Sequence, residues 1–124
     1  MIDHISTYAT DYAATRAFYE AVLPTLGYDV QMEFPQMCAF GPPGRPVFWV
    51  IEVEQAASPR HIAFTAGDRE MVTHFYHAGL NHGGRDNGSP GLRPDYHEHY
   101  YGAFLLDPDG NNVEAVCHMP EEQE

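Results

Sequence analysis

Lysine is absent: all six basic residues of this 124-residue chain are arginines. Schiff-base catalysis and the lysine of a phosphate-binding loop are thereby excluded. Positive charge of any kind is scarce, six arginines against 18 Asp+Glu, for a formal net charge of −12 at pH 7. Such a chain repels nucleic-acid phosphates and anionic lipid surfaces, so neither nucleic acid nor membrane is an expected partner. Cysteine is nearly missing too. Cys38 and Cys117 stand far apart in apolar settings without metal-type spacing, and are expected to be reduced core thiols. No apolar run approaches the ~20 residues that cross a bilayer, and Met1-Ile2-Asp3-His4 has no basic n-region, so a soluble, cytoplasmic protein is expected.

What is plentiful is histidine, eight in all, within a chain whose 44% hydrophobic content suits one compact domain. Moving the first half forward by 57 residues lays His4 on His61, Ile5 on Ile62, Ala9 on Ala66, Asp11 on Asp68 and Phe18-Tyr19 on Phe75-Tyr76. It also lays Ala21, Leu23, Gly27 and Asp29 on Ala78, Leu80, Gly84 and Asp86, ten identities without a gap. This is an internal repeat. It divides the chain into a first module over 1–55 and a second over 56–124, together forming one domain.

Each module reads in the same order. Ile2 to Ala9 fits a strand; a helix capped by Thr10 or Asp11 follows, with Ala14, Phe18, Ala21 and Val22 as its apolar stripe, and Pro24 and Gly27 end it. Tyr28–Glu33, Met37–Phe40 and Val47–Val53 read as strands, with Gly41-Pro42-Pro43-Gly44 as a turn. Glu54–Pro59 is the connector. Arg60–Ala66 restarts the pattern, and Asp68 caps a helix buried through Met71, Val72, Phe75, Tyr76 and Ala78. His82–Pro94, rich in glycine and proline, reads as a long loop with at most a short strand. Tyr100–Leu106 and Asn112–His118 form a hairpin across Asp107-Pro108-Asp109-Gly110-Asn111. The acidic tail Pro120–Glu124 is expected to fray. The fold class is α+β: two βαβββ modules in tandem with pseudo-twofold symmetry, their curved mixed sheet forming a cleft.

Symmetry makes His4 and His61 neighbours near the pseudo-axis, and the last strand of each module adds a glutamate, Glu52 or Glu114. Polar groups in apolar strands must be paired or coordinated, and two imidazoles with two carboxylates suit Zn, Ni, Mn, Fe or Co. The alternative is a hydrogen-bonded trio of His4, His61 and Glu114 with no metal, and Glu52 as a rim carboxylate. Arg93, His97, Tyr100 and Tyr101 are candidates for substrate contact, Arg93 through a substrate carboxylate and the others as a pocket wall. His74 and His77 are expected on a solvated helix face, and Trp49 in core packing.

The paired βαβββ pattern, His4 in Ile2-Asp3-His4-Ile5, His61 in Arg60-His61-Ile62-Ala63-Phe64, and the ending Phe104-Leu105-Leu106-Asp107-Pro108-Asp109-Gly110-Asn111-Asn112-Val113-Glu114 resemble the vicinal oxygen chelate superfamily. That group includes glyoxalase I, bleomycin-resistance proteins and extradiol dioxygenases, and this chain is most similar to its short glyoxalase-like bacterial members. The resemblance implies His4, His61 and Glu114 as metal ligands, Glu52 as fourth ligand or catalytic base, and a homodimer. It implies a metal-dependent lyase or isomerase, less readily a dioxygenase, acting on a small oxygenated substrate. The alternative it offers is a metal-free protein that sequesters a small molecule, as bleomycin-resistance proteins do.

Overall fold

The computed structural model describes residues 1–121; the end of the acidic tail, 122–124, lies outside them. The elements run β1 (Ile5–Ala9), α1 (Tyr12–Val22), a 3-10 turn (Leu23–Leu26), β2 (Asp29–Phe34), β3 (Met37–Gly41), β4 (Phe48–Glu52), β5 (His61–Thr65), α2 (Arg69–Asn81), β6 (Arg85–Leu92), β7 (Tyr101–Leu106) and β8 (Asn112–Cys117). The duplication therefore holds at the level of fold, as two βαβββ modules.

Each module builds a four-stranded mixed sheet, in the orders β1-β4-β3-β2 and β5-β8-β7-β6. The first strand of each pairs in parallel with the last, which requires a crossover, and the intervening helix supplies it. The repeat extends to the caps: Asp11 accepts from the Ala14 N–H at 3.1 Å, and its equivalent Asp68 from the Met71 N–H at 2.8 Å. Pairing ends at β1 and β2 in the first sheet and at β5 and β6 in the second.

One face of each sheet is covered by helices. Phe48, Val50, Cys38 and Phe40 from the first module and Leu105, Val113, Ala115 and Cys117 from the second join Phe18, Tyr19, Val22, Val72 and Phe75 of the helices in one buried cluster. Both cysteines are free and buried there. Gly79 lets α2 pack closely on β7 and the end of α1, because a Cβ on it would meet Leu105 Cδ1 at 2.2 Å and Val22 Cγ1 at 3.1 Å. The opposite face of each sheet carries no helix.

The segment expected as a loop is corrected: Arg85–Leu92 is an eight-residue strand, β6. Two register shifts interrupt its pairing with β7, one at Gly88, whose φ of +148° favours glycine. Glycine and proline here bulge an edge strand instead of abolishing it.

A polar network joins the modules. The Asp107 carboxylate, 1% exposed, accepts from Tyr19 Oη at 2.6 Å, Asn111 Nδ2 at 2.9 Å and the Asn111 and Asp109 N–H groups at 2.9 and 3.0 Å. Asp109 in turn accepts from the Thr10 N–H at 2.9 Å and hydroxyl at 2.5 Å. The Asp-Pro-Asp-Gly-Asn turn thus clamps the second module to β1 and α1 of the first. Burial and the neighbouring Asp107 charge hold the Tyr19 hydroxyl well above its ordinary value of 10.0. It stays protonated in the fold while the unfolded chain ionises above about pH 10, so its stabilisation is complete below that pH and is lost as pH rises beyond it. Thermal unfolding followed from pH 8 to 11 should show a steeper alkaline loss in wild type than in Tyr19→Phe; parallel curves would contradict the assignment.

Candidate functional site

His61 opens β5 and Glu114 lies in β8, one strand away. The parallel register sets Ala63 opposite Glu114, and the pleat points His61, Ala63, Asn112, Glu114 and Val116 away from the helices. On that open face His61 Nε2 stands 2.7 Å from Glu114 Oε1. The pair is asymmetric: the histidine side chain is 55% exposed and the glutamate 1%. Tyr100 donates its hydroxyl to Glu114 Oε2, so each oxygen of the buried carboxylate has a partner, as burial of a charge demands. Burial and the adjacent carboxylate push the Tyr100 hydroxyl up from its ordinary range.

The surroundings are aromatic. Phe104 faces Glu114 across β7 and β8, with its ring centroid 6.4 Å from that of His61. Tyr96, Tyr100, His97 and His118 form an edge-to-face cluster with centroids 5.1–5.4 Å apart. Gly102 makes room for it, because a Cβ there would stand 3.2 Å from the Tyr100 ring and 3.5 Å from Glu114 Oε2. Two cavities lie elsewhere. One, about 400 Å³, sits by Gly67, Asp68, Arg69 and Cys117, and an apolar one, about 240 Å³, by Ile5, Phe48, Ile62 and Phe64. Neither encloses the pair, which occupies an open surface.

The family profile described as the Glyoxalase/Bleomycin resistance protein/Dioxygenase superfamily matches residues 1–115. The chain belongs to this superfamily. Its structure is similar to a glyoxalase/bleomycin resistance protein from Albidiferax ferrireducens T118, at 27% identity and TM-score 0.81, covering 97% of this chain and 99% of that one. It is also similar to lactoylglutathione lyase from Agrobacterium tumefaciens (23% identity, TM-score 0.69, 94% and 92% covered). A glyoxalase-related enzyme from Fulvimarina pelagi shares the fold at 17% identity (TM-score 0.73, 94% and 87% covered). No curated protein matches the chain.

Within this superfamily fold the expected site residues separate. His4 lies just before β1, exposed, with Nδ1 on Asp3 at 2.7 Å. Among the described residues no group of three or more His, Cys, Asp or Glu side chains stands close enough to hold one ion, so His4 does not join His61 and Glu114 within one chain.

The equivalence of Glu52 with Glu114 is corrected by the registers. Ser6, the counterpart of Ala63, pairs with Trp49, whereas Glu52 pairs with Ala9. Trp49 therefore occupies the place of Glu114 in the first module, and Glu52, exposed, has the parity of the helix-facing Phe48 and Val50. Arg93 reaches back to the Gly91 and Ser89 carbonyls at 2.9 and 2.8 Å and lies over Phe104. Tyr101 turns to the helix side, under Arg69 at 5.1 Å. His97 and Tyr100 stand in the aromatic cluster. Sequence reasoning missed His118, although its even spacing from Glu114 along β8 signalled the shared face.

The donor chemistry of the pair, one imidazole and one carboxylate converging on an open face, fits two ligands of a divalent ion.

Proposed function

We propose that the chain is the subunit of a glyoxalase-like enzyme whose reacting centre is the His61–Glu114 pair. The observation that carries this reading is the buried Glu114 carboxylate, aimed at the open face and in contact with the half-exposed His61. His61 and Glu114 would hold a divalent ion, with His4 of a second copy completing the set, since His4 is exposed and apart from the pair in its own chain. Such an ion supplies Lewis acidity to two adjacent oxygens of a small substrate. Tyr100, hydrogen-bonded to Glu114 Oε2, holds the carboxylate in place beside His61. Half-buried Phe104 and Tyr100 flank the pair on one side. A lyase or isomerase step that shifts a proton between neighbouring carbons fits this set, in a soluble homodimer of the cytoplasm. Glu52 is left out, because it points to the other side of β4.

A second reading has an observation of its own. Both oxygens of Glu114 are satisfied by His61 and Tyr100 without an ion, as a metal-free protein that sequesters a small molecule would require.

Sharing between copies is tested by mixing. Chains carrying His4→Ala and chains carrying Glu114→Gln should each hold no ion after dialysis. Unfolded and refolded together, they should recover about one ion per four chains, because half the dimers are mixed and each has one intact site. No recovery would place the complete site within one chain.

A further inference from the structure

With six arginines among 18 acidic residues, an arginine that has no carboxylate partner is unexpected in this chain. Arg16 pairs with Glu20 and Glu33, and Arg69 approaches Glu121 at 3.8 Å. Arg93, half-buried, differs: among the described residues its guanidinium bonds only to backbone carbonyls, Nη1 donating to Gly91 at 2.9 Å and Leu92 at 3.5 Å, and Nη2 to Ser89 at 2.8 Å. Carbonyl dipoles orient a full positive charge without neutralising it. Of the five N–H groups of a guanidinium, Nε–H and one on Nη2 are left for another acceptor.

The strand β6 is shaped around this group. A Cβ on Gly88 would stand 3.3 Å from Nη2 and one on Gly91 3.2 Å from Nη1, closer than side chains ordinarily pack. Bare backbone at both positions thus lets the guanidinium lie over the Phe104 ring, 5.4 Å from its centroid. That ring borders the reacting pair: Gly88, Phe104 and Glu114 form one row across the sheet, and the Phe104 and His61 centroids are 6.4 Å apart. The Arg93 N–H also donates to the Tyr100 carbonyl at 2.7 Å, and the Tyr100 hydroxyl reaches Glu114. The neighbouring row runs Arg85, Leu106, Asn112 and His61, which brings a second, exposed arginine to the same face.

We propose that Arg93 anchors a carboxylate of the substrate, with Arg85 adding positive charge, so that the substrate is a small oxygenated molecule bearing a carboxylate apart from its reacting oxygens. A planar carboxylate matches the guanidinium, and charge-assisted bonds are the strong ones. The net charge of −12 opposes a dianion more than a monoanion, which favours a carboxylate over a phosphate ester. This inference rests on the reading of His61 and Glu114 given above and adds the class of substrate.

Butyrate and its neutral isostere butyramide test it, each titrated into metal-free wild-type protein at constant ionic strength and followed by nitrogen-15 proton correlation spectra. Butyrate should shift the Gly88, Gly91 and Arg93 resonances saturably and bind about tenfold or more tightly than butyramide. Arg93→Gln should lose that preference, and Arg93→Lys should recover part of it. Because the titration needs no ion, a failure of the metal-site reading leaves the butyrate result standing, and a failure of the anchor leaves ion binding standing. Equal affinity for the two ligands in wild type, or a butyrate preference that survives Arg93→Gln, overturns the proposal. The wild-type comparison decides even where the variant does not fold.

Discussion

Asp107→Ala lowers the free energy of unfolding by about 3–5 kcal/mol, the largest loss expected of a single substitution outside the hydrophobic core. The carboxylate accepts four hydrogen bonds while only 1% exposed. Removing it leaves the buried Tyr19 hydroxyl without the Asp107 acceptor and the Asn111 amide with only Thr7 Oγ1 at 3.5 Å, and frees the turn that carries Asp109 to Thr10. Each orphaned group costs about 1–3 kcal/mol, less than additively because they share one partner. Against a total of about 5–15 kcal/mol this is a large fraction. The urea midpoint should fall sharply for Asp107→Ala and less for Asp107→Asn, which keeps an acceptor for Tyr19. A change under about 1 kcal/mol in the alanine variant would mean that the turn does not hold the modules together.

His61→Ala should reduce affinity for a divalent ion by roughly 100-fold or more, exceeding the loss typical of groups that only support a ligand. Its effect on folding differs in kind. Glu114 remains buried with Tyr100 as its one side-chain partner, and an underpaired buried carboxylate costs about 1–3 kcal/mol. The same variant should thus lose both binding and stability, whereas His4→Ala, at an exposed position, should lose binding alone. Isothermal titration and thermal unfolding on the two variants read these effects separately. Equal stability losses would count against the different environments of the two histidines.

The fold was legible because duplication left ten aligned identities, among them both helix caps, and because the apolar stripes are regular. Local signals of this kind survive in a single sequence. The strand β6 was not, since the glycine and proline that bulge an edge strand are the same residues that mark a loop. That His61 and Glu114 meet could be read from motif and parity. Which first-module residue corresponds to Glu114 could not be read. The pairing of β1 with β4 is long-range, and Val-Ile-Glu at residues 50–52 imitates the Asn-Val-Glu of 112–114 while sitting three residues out of register. A slip by an odd number of residues turns a strand over, which is why Trp49 and Glu52 exchanged faces. Tyr100 and Tyr101, adjacent in sequence, part for the same reason, one toward Glu114 and the other toward Arg69.

The central claim is that the His61–Glu114 pair is the core of a metal centre. Its most direct test is the number of ions per chain after dialysis against zinc, nickel, manganese, cobalt or iron(II), measured by elemental analysis on wild type and Glu114→Gln. One ion per chain in wild type and none in Glu114→Gln is the predicted result for at least one of these metals. A wild type that retains none of them, or a Glu114→Gln protein that binds as many ions as wild type, would contradict the claim.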